Sequence, residues 1–324
     1  MHRRIISIDI LKFIAAILIT NSHLDILYPN DDYATGGAIG NALFFFCSGF
    51  TIFLKPVGRF DNFYKRRISR IFPTVFTWAL LAYTCFNEKE NIFYILFYGS
   101  GWFISCIMVH YVLLYFVKKF LSKYLVHVFL SFLIAVLSFV FWCCFSQTDY
   151  SSYSLYADVY VFRWVYYFLF VLLGAISATY RRNQVCNFKL NILKLLGLFV
   201  LFYGLLFLAR ENVFFNKIQV VSLFPLLGIT FYFHKVVSSS SVKRFYDRKI
   251  PRLIIRTIGG LCLEIYLIQK YLIFDSLNNI FPANIIIVFL VIILGAYILR
   301  TLSRIMSQIF RDQDFDWKAV FNLY

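Results

Sequence analysis

The chain of 324 residues is 61% hydrophobic, 21% aromatic and only 15% charged, against roughly 45–50% apolar residues in soluble domains. That balance excludes a soluble globular enzyme and reads as an integral membrane protein. The net charge of +16 does not mark a nucleic-acid binder, because the basic residues come in short clusters between apolar runs, the layout of topology signals. The seven cysteines (47, 85, 106, 143, 144, 186 and 262) are odd in number and contain no C-x-x-C pair, so they define neither a disulfide framework nor a zinc site. No metal is expected, and no glycine-rich phosphate loop or nucleophile elbow is present.

Apolar runs near the roughly 20 residues needed to cross a bilayer fall at 5–27, 36–54, 69–86, 101–117, 124–146, 159–180, 190–209, 218–236, 257–274 and 284–302. They predict an all-α polytopic bundle of about ten transmembrane helices, with 92–99 as a short re-entrant lead-in. Arg3-Arg4 and the apolar run after them resemble a signal peptide, but Asp9 and Lys12 interrupt the run and no clean cleavage site follows, so it is read as a retained first span.

Basic residues gather in alternate loops: Lys55 to Arg70, Lys118 to Lys123, Arg181, Arg182 and Lys189, and Lys235 to Arg256. The opposite loops are poor in them: 28–35, 87–91, 147–158, 210–217 and 275–284. The positive-inside rule then puts both termini in the cytoplasm and the 28–35 loop outside, in a multi-pass protein of the cell (inner or cytoplasmic) membrane. Residues 1–302 read as one transmembrane domain and 303–324 as a short cytoplasmic tail, whose apolar residues suit the inner interface. No fused soluble domain and no internal repeat is visible.

The first apolar run carries Asp9, Lys12 and His23, and an ionisable group inside a span is a functional candidate by default. Lys12 and His23 are eleven positions apart, so on a helix they differ by about 20° in direction and about 16 Å in height. Asp9 falls within about 60° of both. Plainer readings stand beside this one: Lys12 snorkels to the headgroups, Asp9 pairs with it at i,i+3, and His23 belongs to the outer interface.

Three further groups stand out. Arg67 and Arg70 form an i,i+3 pair where the third span is expected to begin, just ahead of Pro73. They serve either as topology signals or as bidentate partners for the phosphates of a nucleotide-like donor. Small residues from Gly36 to Gly49 in the second span allow close helix packing. Glu264 and Gln269 sit in apolar sequence, where the carboxylate needs a partner. Arg163 either contacts an acceptor or snorkels, and Trp102 is read as an interfacial anchor.

The run Ser7-Ile8-Asp9-Ile10-Leu11-Lys12-Phe13-Ile14-Ala15, with His23 eleven positions after Lys12, resembles the opening of the acyltransferase 3 family of polytopic membrane enzymes. That family's first-span signature is Arg or Lys, ten residues, then His. Arg67-Ile68-Ser69-Arg70 resembles its Arg-x-x-Arg pair, and the stretch around Ser48-Gly49-Phe50 its Phe-Phe-x-x-Ser-Gly-Phe segment. Gly101-Trp102-Phe103 resembles its Trp-Phe-Leu stretch. Gln269 departs from it, standing where many members have histidine.

The resemblance implies an O-acyltransferase. It would move an acyl group, usually acetyl, from cytoplasmic acyl-CoA as co-substrate to a hydroxyl of an extracytoplasmic polysaccharide or glycan. It further implies His23 as base or transient acyl carrier, with Lys12 and Asp9 positioning the donor or tuning charge. Arg67 and Arg70 would hold phosphate, and Ser48 would line the donor path. The alternative is a polytopic transporter or flippase of a glycan or lipid, which would share the composition; transporters often show repeated halves, and none is seen.

Overall fold

The structure, a computed structural model, describes residues 4–86, 88, 91–98, 101–145, 160–180, 187–310 and 314–322. Among these the regular elements are all helical: α1 (Ile6–Asn21), α2 (Gly37–Phe53), α3 (Phe60–Cys85), α4 (Ile92–Tyr98), α5 (Phe103–Phe120), α6 (Leu125–Phe145), α7 (Tyr160–Thr179) and α8 (Phe188–Glu211). They continue with α9 (Val213–Lys217), α10 (Leu223–Val237), α11 (Ser240–Tyr246), α12 (Lys249–Gly260), α13 (Cys262–Leu272), α14 (Ala283–Ile309) and α15 (Trp317–Phe321). The basic pair Arg181-Arg182, the 147–158 loop and Cys186 lie outside the described residues.

Among the described residues seven helical segments are long and apolar enough to cross a membrane, so the chain is a multi-pass membrane protein and the expected count of about ten is approximate. They correspond to α2, α5, α6, α7, α8, α10 and α14. The other three expected spans are filled differently: by α1 with 16 residues, by the charged α3 with 26, and by the α12–α13 pair.

The third and ninth spans differ from the sequence reading, each for a physical reason. The third helix starts at Phe60, nine residues before the expected 69, so Pro73 lies inside α3 rather than at its start. Asp61 suits the first turn, and the polar run Lys65-Arg66-Arg67 consists of good helix formers that an apolarity criterion does not see. The expected ninth span is two helices, broken at Leu261 directly after Gly259-Gly260. In α12, Lys249, Arg252 and Arg256 share one side while Ile250, Leu253, Ile254 and Ile258 share the other, the pattern of a helix lying at an interface.

The chain divides into two compact units. The first comprises Met1–Leu11, Asn41–Val57 and Val112–Phe245. In it α10 packs on α8, and α7 packs on α6 and α10. Phe45 stacks on Tyr167, while Phe46 and Phe50 close on the buried His234 ring. Two glycines set the approach of α2 to α7: a Cβ on Gly49 would stand 1.9 Å from the Val171 carbonyl oxygen, and one on Gly174 2.1 Å from that of Phe46.

Gly49→Ala is therefore expected to force the helices apart and lower the melting temperature of the purified protein, at a cost of about 1–3 kcal/mol. Gly204→Ala, on α8 with open space around it, is expected to be neutral or to stabilise by up to about 1 kcal/mol through helix propensity. Equal melting temperatures for Gly49→Ala and the wild type would remove the close-packing explanation.

The second unit comprises Lys12–Gly40, Gly58–Tyr111 and Tyr246–Tyr324. Here α3, α13 and α14 pack together and α4 lies against α3. Trp78 is fully buried with the rings of Phe86 and Tyr271 against it, and the Tyr271 hydroxyl donates to the Glu88 carboxylate. Thr74 and Ser303 share a hydrogen bond of 3.1 Å between α3 and α14. The last helix runs on to Ile309, past the expected end at 302. The segment after it folds back, with Gln308 bonding the Asp316 backbone at both its carbonyl and its N–H, and Arg304 donating to the Val320 carbonyl.

Candidate active site

The apolar stretch Ile6–Asn21 forms α1, but the helix ends two residues before His23. The His23 N–H donates to the Thr20 carbonyl at 2.9 Å, an i to i−3 bond that tightens the last turn. The 3.6-residue periodicity that would align His23 with Lys12 thus stops short, and the imidazole belongs to the segment beyond α1.

That segment is held from several directions. Leu24 and Leu27 are buried and pin the chain down. Asn21 in the last turn of α1 donates from Nδ2 to the carbonyls of Tyr33 and Thr35 at 3.0 and 2.9 Å, and its Oδ1 accepts from the Tyr28 hydroxyl at 2.5 Å. Asn278 donates to the Ile26 carbonyl, and the fully buried Asn284 donates to that of Leu27. His23 is thereby carried on an ordered loop rather than a free one. The residue keeps substantial exposure, yet desolvation of its ring lowers its pKa from the usual 6.5, with the Asp25 carboxylate acting in the opposite direction.

Lys12 is half-buried in α1, and its backbone carbonyl accepts from the Cys262 thiol at the start of α13. Asp9 is buried, with Arg4 as an ion partner at 2.8 Å. Beyond Cys262 the buried Glu264 carboxylate meets Arg300 of α14, Nε to Oε1 at 3.1 Å, and the same guanidinium donates to the Gly260 carbonyl where α12 ends. Sequence spacing calls for a partner to Glu264 but does not name Arg300, which lies 36 residues further on. Gln269 is buried on α13, and its Oε1 has no hydrogen-bond partner.

Arg67 is half-buried on α3, its guanidinium 5.1 Å from the Phe63 ring centroid and 5.4 Å from that of Tyr111. The two rings hold its planar fork in place, while Arg70 is exposed. Lys12, His23, Arg67, Arg70, Glu264 and Gln269 fall in the second unit; Asp9, Ser48 and Arg163 fall in the first. Ser48 is half-buried on α2, its carbonyl accepting from the Thr51 hydroxyl, and the small size of the neighbouring Gly49 is accounted for by α7. Arg163 is half-buried in the first turn of α7.

A family model, that of acyltransferase 3, described as an acyltransferase domain, matches residues 5–301. The chain belongs to the acyltransferase 3 family. No curated protein and no solved structure matches it.

This family member is a multi-pass membrane acyltransferase, and it transfers groups other than amino-acyl groups. Acyl transfer to a hydroxyl needs a base for the hydroxyl proton, and a neutral imidazole is suited to that step. With its pKa below 6.5, His23 carries a lone pair at neutral pH. The residues that sequence reasoning missed are the supports: Asn21, Asn278 and Asn284 around the His23 loop, and Arg300 under α13. Of these only Asn21 carries a local signal, as an amide within the apolar run 5–27.

Proposed function

We propose that the enzyme is an O-acyltransferase of the cell (inner or cytoplasmic) membrane. It moves an acyl group, acetyl in the first instance, from cytoplasmic acyl-CoA to a hydroxyl of an extracytoplasmic polysaccharide or glycan. The observation that carries this reading is His23: an imidazole with a lowered pKa on a loop fixed by three asparagines, two of them from the basic-poor segment 275–284. His23 takes the proton of the acceptor hydroxyl as its oxygen attacks the thioester carbonyl. Coenzyme A leaves as the thiolate, and the proton returns to it from the imidazolium.

Lys12, half-buried in α1, tunes charge along the donor path, and the family resemblance gives Asp9 and Ser48 parts in handling the same donor. Arg67 and Arg70 hold the donor's phosphates, with residues 1–302 as the membrane domain and the remainder on the cytoplasmic side. The rings under Arg67 support its part, because a guanidinium already fixed in orientation loses less freedom on meeting a phosphate.

Arg67→Ala is expected to weaken coenzyme A binding by about 1.5–3 kcal/mol, roughly ten- to a hundredfold. Arg70→Ala, lacking the stacked support, is expected to cost less, and Arg67→Lys to recover only part of the loss. Isothermal titration of the purified variants with coenzyme A decides it. Unchanged dissociation constants in both alanine variants would reduce the pair to a topology signal.

A further inference from the structure

The second unit contains a groove of about 900 Å3 walled by α3, α4 and the end of α14, within the roughly 300–1,000 Å3 that takes a small molecule. On α3 it is lined by Lys65, Ser69, Phe72 and Phe76, which at i, i+4, i+7 and i+11 share one face. Phe97 of α4, Met306 within α14 and Phe310 just after it complete walls that are apolar apart from serine hydroxyls; that of Ser307 is already bonded to the Ser303 carbonyl. Lys65 is the charged residue among the described lining, and it stands at one end.

Two geometric facts select an occupant. From Lys65 to Phe76 the groove follows α3 for about 16 Å, close to half of the roughly 30 Å hydrocarbon thickness, so it spans one leaflet. Its cation lies on the side of the basic loops, where anionic headgroups sit. Arg67 points about 200° around α3 from Lys65, so the groove is on the face opposite the guanidinium assigned to the donor. An apolar trough at this depth is filled by hydrocarbon rather than water.

We propose that the groove is a binding site for an anionic phospholipid of the leaflet facing the basic loops, one acyl chain lying between α3, α4 and α14 and its phosphate at Lys65. The lipid would brace α4 against α3. The inference takes its leaflet from the charge layout of the loops and does not depend on the identity of the acyl acceptor.

The test is native mass spectrometry of the purified full-length protein exchanged into vesicles of dioleoyl phosphatidylglycerol or dioleoyl phosphatidylcholine. The wild type is expected to retain phosphatidylglycerol in preference to phosphatidylcholine by about fivefold, the worth of one lysine at an anionic surface. Lys65→Glu, a change at an exposed position, is expected to erase that preference. Ser307→Trp, which fills the groove, is expected to lose the retained lipid while keeping the wild-type affinity for coenzyme A. If Ser307→Trp does not fold, the Lys65→Glu comparison decides alone. Wild-type retention in both variants would overturn the site, and so would displacement of the lipid by palmitoyl-CoA, which would make the groove part of the donor path.

Discussion

Replacing His23 by alanine is expected to lower the rate of acyl transfer by about 10²–10⁴, the usual worth of a general base, and by more if the histidine carries the acyl group. Fold and donor affinity are expected to stay near wild type, because His23 lies beyond α1 and its backbone, not its ring, makes the 2.9 Å bond to Thr20. The buried Leu24 and Leu27 and the Asn21, Asn278 and Asn284 bonds would continue to hold the loop. The pH profile follows from the same group. Desolvation lowers the His23 pKa below 6.5, so the base form prevails at neutral pH and activity falls as pH drops through the lowered value. Asp25 acts to raise it, so Asp25→Asn is expected to move the acid limb to still lower pH. A limb that moves upward, or a His23→Ala enzyme with a wild-type rate, would remove His23 from the chemistry.

The second large effect is expected at Glu264 and Arg300. Glu264 is 4% exposed, so its charge has little water and depends on the guanidinium 3.1 Å away. Arg300 does a second task, donating to the Gly260 carbonyl at the break between α12 and α13, where the helix has carbonyls without partners. Removing Arg300 leaves the buried Glu264 carboxylate without its guanidinium, and removing Glu264 leaves that guanidinium without its carboxylate, so each single alanine variant is expected to lose about 3–5 kcal/mol. The double alanine variant is expected to lose less than the sum, because the second change removes the stranded charge. Thermal denaturation of the four proteins in detergent measures the coupling. Strict additivity would mean that the two residues do not act as a pair.

The apolar runs made the seven long apolar helices among the described residues legible, since a bilayer demands length and hydrocarbon character and both are written locally. What was not legible depended on polar helix or on partners distant in sequence. The lead-in of α3 from Phe60 to Ile68 is too charged to register as a span although its residues favour helix. The break at Leu261 has a local cause in Gly259-Gly260, but the Arg300 bond that caps it comes from α14. Of the candidate site, the spacing of Lys12 and His23 pointed to the family, which the match over residues 5–301 shows. The geometry drawn from that spacing held only as far as Asn21, because helical periodicity carries no information past the end of the helix. Asp9 adds a partner that the spacing did not name, Arg4, from the segment just before α1.

The most direct measurement supplies acetyl-labelled acetyl-CoA to the side of sealed membrane vesicles bearing the basic loops, and follows label in polysaccharide on the opposite side. Vesicles containing the enzyme are expected to transfer label to glycan hydroxyls, and vesicles with His23→Ala at the same protein level to transfer little or none. Label that stays in acetyl-CoA while glycan crosses the membrane, or equal transfer by the His23→Ala protein, would contradict the account.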